Sequence, residues 1–533
     1  MNRILFFTTV LWLSMMNPLQ AEPVEEMNAA LQLMKERSYD LKSSAIKKIV
    51  TSGHPQARAV LDAMLNGNLF IRKKERDLVF AHKEGAGYQL TAILDDKELG
   101  QLKKRQLKKV GINNRLRGEL RSALAMLTLN SPDPETRLAA VDNMLNSIDA
   151  DSAAIFSSAL ENEQDRSVRE AMRLGIALVD ISSADPHVRT QAITVLDGNL
   201  HPAAWNKLTA LLEQEQEQAV RDAAENALHA IDVRRQASSI AETLFFGLSL
   251  GSVLVIAAIG LAITFGVMGV INMAHGELIM LGAYTTYLVQ VVLPDSPGVA
   301  LLLSIPLAFL VSGGAGVLIE RGVIRFLYGR PLETLLATFG ISLILQQLVR
   351  VLISPQNVPV TNPEWMSGSI ELNYVLSLTY NRLYVFGFSL LVFAALFLIL
   401  KKTSLGLQVR AVAQNRAMAR AMGVRSERVD ALTFGLGSGI AGIAGVALSQ
   451  LTNVGPNLGQ SYTIDSFMVV VFGGVGNLWG ALVAGMTLGV ANKIMEPWAG
   501  AVLAKILILI FIILFIQKRP RGLFPQKGRA AEG

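Results

Sequence analysis

The residues of this chain best suited to chemistry are polar groups set in or beside apolar runs: Asn272, His275 and Glu277 in one short stretch, then Tyr284, Gln346, Gln347 and Asp465. An ionisable group at the centre of a bilayer costs about 2.5–3.5 kcal/mol on insertion scales, so such residues face a bundle interior or a wet cavity. There they can hydrogen-bond a small solute or gate its path. Helix capping, interhelical hydrogen bonds and placement at headgroup level are the structural alternatives. The charge pattern of the flanking loops puts Asn272, His275 and Glu277 near a cytoplasmic boundary, where a structural or gating role outweighs substrate binding. Gly473, Gly474 and Gly476 interrupt a further apolar run. Non-helical backbone at membrane depth is tolerated only where it is buried in protein or lines a cavity, which makes this stretch a pathway candidate.

Other chemistries are excluded. The chain has no cysteine, so disulfides, thiolate metal sites and cysteine nucleophiles are absent. His54, His82, His187, His201 and His229 have no metal-ligand spacing, and no metal centre is expected. No G-x-x-x-x-G-K-[ST] loop occurs, so no P-loop lysine reaches a phosphate. No catalytic residue and no cofactor are expected in this chain. Any ATP is used by a partner.

The elements that must hold these residues are set by a break in composition. The 533 residues are 51% hydrophobic and 17% charged, with a mean hydropathy of +0.38. Up to about Arg235 the sequence is charged and helix-forming. From Thr243 to Gln517 it is a series of apolar runs, some, such as Leu383 to Leu400, apolar all round, for which the bilayer is the natural solvent. About 20 apolar residues cross the hydrocarbon core. The predicted spans are Leu244–Phe265, Met273–Leu293, Val299–Leu318, Leu335–Ile353, Leu383–Leu400 and Ala431–Leu451, then an irregular region from Ile464 to Ile494, and a last span at Val502–Ile516.

Positive charge orients them. Arg321, Arg325 and Arg330 follow the third span, Lys401 to Arg428 carries a second cluster, and Lys518, Arg519 and Arg521 follow the last, so these three sides are cytoplasmic. The net charge of +6 is read through the same rule and not as a nucleic-acid surface. Parity then requires an odd number of crossings between Thr452 and the C-terminus: a re-entrant pair plus one span, or three crossings with a broken helix. Glycines four residues apart, Gly247/Gly251, Gly435/Gly439 and Gly485/Gly489, let helices approach closely.

The basic segment Lys401–Asp430 holds a short amphipathic helix, about Asn415–Met422, stopped by Gly423 at a C-terminal cap. Such a helix buries little by itself and needs a partner surface, which a soluble motor would supply. An ordinary positive-inside loop is the alternative.

Met1 to Ala21, with Arg3 and an apolar stretch before Glu22, reads as a secretory signal, or an uncleaved anchor, that puts the following domain outside the cytoplasm. From Glu22 to Arg235 the pattern is helical throughout. An acidic or amide residue followed by Arg and small residues recurs at Asp133–Arg137, Asp165–Arg169, Asp185–Arg189 and Glu217–Arg221, with a weaker copy at His54–Arg58. The spacing is near that of paired-helix solenoids. Asp with Pro suits a helix start, because Asp caps free N–H groups and Pro fits the first turn. This HEAT-like domain is either a docking surface or a helical cap on the membrane half.

Several stretches then carry a family resemblance: Gly247 to Ser252, Gly269-Val270-Ile271-Asn272-Met273-Ala274-His275-Gly276-Glu277, Gly282-Ala283-Tyr284, Arg330 to Thr338, Gly406 to Gly423, Asp465 to Gly480, and Arg519-Pro520-Arg521-Gly522-Leu523-Phe524. Over about Leu244–Pro525 the chain resembles permease subunits of branched-chain amino acid type ABC importers, and specifically the urea type. The resemblance implies a second permease subunit, two cytoplasmic ABC ATPases and an extracytoplasmic solute-binding protein, in a bacterial inner membrane. It implies that Gly406, Arg410, Asn415, Arg416, Ala419, Arg420 and Gly423 lie in the loop that couples to the ATPase. Urea has four heavy atoms, so at a ceiling of about 1.5 kcal/mol per atom its site gains about 6 kcal/mol, or tens of micromolar at best. Amide, hydroxyl and carbonyl groups are expected there, not a charge pair.

The expectation is therefore an all-α protein: a polytopic transmembrane helical permease with an N-terminal extracytoplasmic HEAT-like helical domain. Its parts are a signal at 1–21, the helical domain at 22–237, the permease at 238–517 and a cytoplasmic basic tail at 518–533. An amino acid permease of the same family, a passive urea or amide channel, and a membrane-anchored interaction protein are the alternative functions.

Overall fold

The computed structural model describes residues 21–525 apart from 85, 86, 96, 130, 146 and 147. The signal reading falls on residues outside these, as does the end of the basic tail. The chain divides into two compact units, Met1–Arg234 and Arg235–Gly533.

The first unit opens with α1 (Ala21–Met34), α2 (Tyr39–Thr51) and α3 (Ala57–Asn66). Five short strands follow, β1 (Leu69–Arg72), β2 (Leu78–Glu84), β3 (Gly87–Ala92), β4 (Glu98–Leu102) and β5 (Leu107–Lys109), forming one antiparallel sheet of order β4-β3-β2-β1-β5. The all-α expectation, and the helical reading of Glu22–Arg235, are corrected by this sheet. Leu69, Leu78 and Phe80 pack into the core under α1–α3, whereas Phe70, Val79 and Ala81 pack on the other face with Leu90 and Leu107. A strand covered on both faces has no polar-apolar alternation, so periodicity cannot tell it from a short buried helix.

Helix α4 (Asn114–Leu129) leads to α5 (Pro134–Leu145), α6 (Ala150–Leu160), α7 (Arg166–Asp180), α8 (Pro186–Leu196), α9 (Pro202–Gln214) and the start of α10 (Gln218–Met268). Their shared core includes Val141, Phe156, Met172, Leu178, Leu196, Leu208 and Val220. The recurring Asp caps as expected: Asp165 accepts from the N–H groups of Ser167 and Val168, and Asp185 accepts from that of His187 with Pro186 in the first turn.

The recurring arginines do more than open helices. Arg137 donates Nε and Nη2 to the two carboxylate oxygens of Glu163, both at 2.7 Å, and Nη1 to the carbonyls of Ser131 and Pro132. Arg189 repeats this with Glu215 and the carbonyls of Ser183 and Ala184. Each glutamate also accepts from the two backbone N–H groups that follow it. Those hydrogen bonds, the arginine's first, hold the Glu163 and Glu215 carboxyls below the ordinary carboxylate range. No such clamp is formed by Arg58 among the described residues.

The second unit continues α10 and adds α11 (His275–Val292), α12 (Pro297–Gly322), α13 (Pro331–Leu352), the hairpin β6 (Ser369–Glu371) and β7 (Ser377–Thr379), α14 (Tyr380–Lys402), α15 (Ser404–Gln414), α16 (Arg416–Ala421), α17 (Ser426–Ser449), α18 (Leu458–Gly473) and α19 (Leu478–Lys518). Among the described residues six helices are long and apolar enough to cross a membrane: α10, α12, α13, α14, α17 and α19. The expected span at Met273–Leu293 is the shorter α11, whose first ten residues are all buried but one.

The glycine stripes meet one another. Gly247 and Gly251 of α10 lie against Val490, Met486 and Gly489 of α19, while Gly435 and Gly439 of α17 lie against α12. A very close approach joins α11 to α17, where a Cβ at Gly282 would collide with the Gly442 carbonyl.

The irregular region folds as three helical segments. Helix α19 is broken at Gly500, with φ 77°, just after Pro497. Asp465 of α18 pairs with Lys505 beyond the break, and Phe472 lies 4.9 Å from Phe515, whereas Gly473 abuts Gly480 before it. The second half of α19 therefore runs parallel to α18 and the first half antiparallel. The turn between α18 and α19 places Gly474 at φ 104°, which favours glycine. Leu523 and Phe524 close it by donating their N–H groups to the carbonyls of Phe472 and Gly473.

Candidate functional site

The head of α11 is a knot of buried polar groups. Asn272 accepts the Ala274 N–H on Oδ1 at 3.0 Å and so shapes the turn into the helix. The preceding loop is tied to α13, because Met273 donates its N–H to Thr338 Oγ1 at 3.1 Å. His275 Nε2 lies 2.7 Å from the Ala257 carbonyl of α10. On another side of the helix, Glu277 Oε1 accepts from Gln346 Nε2 at 2.7 Å and from Ser342 Oγ at 3.1 Å, both on α13. Asn272, His275 and Glu277 are all at most 1% exposed. The ring of contacts fastens α11 to α10 and α13.

Three polar atoms here have no hydrogen-bond partner among the described residues: Asn272 Nδ2, Glu277 Oε2 and the Tyr284 hydroxyl. Glu277 and Tyr284 are two helical turns apart and share a face of α11. Tyr284 is buried with Met280, Val349, Val358 and Val454. An unpaired donor or acceptor in such surroundings costs free energy, which a polar guest can recover.

The structure brings together only some of the sequence-predicted residues. Gln346 joins Glu277, but Gln347, next along α13, is exposed. Asp465 sits on α18 and accepts from Lys505 at 2.8 Å, apart from the α11 cluster. Gly473, Gly474 and Gly476 form the turn beside the C-terminal segment. Ser342 and Thr338 were missed. Hydroxyls in an apolar helix usually bond their own backbone, and the cue to these two was their spacing with Gln346 along one face of α13.

The basic segment folds as two short helices. Thr403 caps α15 at Gly406, and Asn415 caps α16 through Met418. Gly423, at φ 88°, stops α16, and Ala419 is buried with Val409, Val412 and Val429. Three of its arginines are tied to neighbouring groups, Arg416 half-buried and Arg410 and Arg420 still exposed. Arg410 donates to the Leu400 carbonyl, Arg416 pairs with Asp430, and Arg420 donates to Ser426 Oγ at 2.6 Å. Beside these basic groups the segment also offers apolar ones outward: Leu407, Met418 and Met422 are 63, 61 and 79% exposed. Sequence reasoning missed these because an exposed Met reads like a core one.

Comparison with known proteins covers the second unit. The signature described as the branched-chain amino acid transport system permease component matches residues 243–516. The high-affinity branched-chain amino acid permease LivH of Salmonella typhimurium is 29% identical over 53% of this chain and 94% of that protein. BraD of Pseudomonas aeruginosa is 30% identical over the same shares. The ribose import permease RbsC of Haemophilus influenzae is 24% identical over 49% of this chain and 81% of its own. No solved structure matches.

Proposed function

The chain belongs to the family of permease components of branched-chain amino acid transport systems, and we propose that the solute it passes is urea or a short-chain amide. Membership implies ATPase and binding-protein partners, so the chain transports with energy supplied by other subunits. The observation that carries the solute reading is the unpartnered Glu277 Oε2 and Tyr284 hydroxyl on one buried face of α11. Urea offers N–H donors to a carboxylate oxygen and a carbonyl to a hydroxyl, and asks for no balancing charge. The first unit, which lies outside the match to the amino acid permeases, supports a departure from their type.

In this reading the importer sits in the inner membrane, with the first unit periplasmic as a HEAT-like array and the α15–α16 segment facing the ATPases. A second reading, a branched-chain amino acid as solute, is favoured by the relatives. It is also favoured by Arg350, one turn beyond Gln346 on α13, which could meet a carboxylate. Competition in proteoliposomes holding the complete complex separates the two. Labelled urea uptake blocked by excess acetamide and indifferent to leucine supports urea; leucine uptake without urea uptake overturns it.

A further inference from the structure

Arg416 holds three elements together. Its guanidinium pairs with Asp430, a fully buried carboxylate in the first turns of α17. It also lies 4.6 Å from the centre of the Tyr328 ring, in the α12–α13 connection. The Tyr328 hydroxyl donates to Glu320 Oε1 at 3.2 Å, in the last turn of α12, and Glu320 is 1% exposed. Arg321 flanks Glu320 from the same helix at 3.7 Å. One side chain from the short helix α16 thus reaches α17, the α12–α13 connection and, through Tyr328, α12.

The pair cannot part cheaply. Asp430 Oδ1 and Glu320 Oε2 have no hydrogen-bond partner among the described residues, and Arg416 is the cation paired directly with Asp430. Arg416 itself is half-buried, but withdrawing it would leave the buried Asp430 carboxylate without its partner, which is unfavourable. A displacement of α16 must then carry the head of α17 with it. Helix α17 has little freedom to absorb the movement, because Gly442 and Gly445 sit directly against Gly282 and Ile279 of α11. Helix α11 in turn carries Glu277 and its bonds to α13.

We infer that Arg416 is a positioning residue that transmits movement between the α15–α16 segment and the α11–α12–α17 bundle, and not a contact for the ATPase. This rests on the reading of the segment as the ATPase-facing element. The ion pair acts as a stiff link, Tyr328 keeps the guanidinium aligned by stacking, and the α11–α17 contact passes the displacement on.

The test uses the complete importer in proteoliposomes and reads stimulation of ATP hydrolysis by the external binding protein, which does not depend on which solute crosses. With Arg416→Ala and with Asp430→Asn, the ATPases should still co-purify while the stimulation ratio falls at least about fivefold, the low end of typical coupling factors. The double variant should be no worse than either alone, as expected of two residues acting as a unit. Arg416→Lys, which keeps the charge, should recover most of the ratio and serves as the folded control. Loss of the ATPases on Arg416→Ala, additive losses in the double variant, or an undiminished ratio would each overturn the inference. Failure of wild-type liposomes to take up urea would count against the proposed solute and leave this result intact.

Discussion

Gln346 donates its side-chain amide to the buried carboxylate of Glu277 at 2.7 Å, so α13 and the head of α11 share a hydrogen bond inside the bundle. Gln346→Leu leaves Oε1 with Ser342 alone, and losing a bond to such a group costs about 1.5–3 kcal/mol. Glu277→Gln keeps an acceptor at the same place and should cost less. Melting of the two variants in detergent checks the order, and an equal or reversed effect would show that the bond does not hold the helices.

The closeness of α11 and α17 makes a second prediction with its own control. Gly282→Ala must push the helices apart, whereas Gly314→Ala and Gly340→Ala meet nothing within 4 Å. Overpacking typically costs about 1–3 kcal/mol. Thermal denaturation of the three variants should single out Gly282, and equal tolerance at all three positions would contradict the packing.

In the first unit the Glu163 and Glu215 carboxyls are held low by Arg137 and Arg189. Their contribution to stability is fully present above the unfolded value, about 4.3, and is lost as the pH falls through the lower folded value. Hydrogen exchange of the full chain between about pH 5 and pH 3 should show α5–α9 opening as acid is added. Glu163→Gln with Glu215→Gln should be more open at pH 5 and respond less to acid. A wild-type response identical to that of the variant would exclude the clamps as its cause.

Outward-facing apolar groups on α15 and α16 are expected to bury against the motor. Leu407→Asp and Met422→Asp should lower ATPase recovery on co-purification by about tenfold, the equivalent of about 1.4 kcal/mol. Unchanged recovery would move the docking surface elsewhere.

How much of this was legible depended on what each segment faces. All-apolar runs and loop arginines announced the membrane spans, since only a bilayer accepts Leu383 to Leu400. Asp185-Pro186 announced a helix start because capping is local chemistry. The sheet was hidden because Phe70 and Leu69 are covered on opposite faces. The clamps were hidden because Arg137 and Glu163, 26 residues apart, meet only in three dimensions. In the candidate site, Glu277 and Gln346 stood out as polar residues in apolar sequence, but their pairing, and the separation of Gln347 and Asp465, depended on helix rotation that composition does not encode. Arg416 read as a cytoplasmic charge, and its buried partner Asp430 could be found only from the fold.

In the proposed function this chain moves its solute with energy from other subunits. Labelled urea uptake into proteoliposomes, with and without the ATPase subunits and internal or external ATP as orientation requires, tests this most directly. Accumulation above the external concentration is expected only when the ATPases and ATP are both present. Equilibration of urea at the same rate by this permease without them would contradict it, and would describe a passive channel.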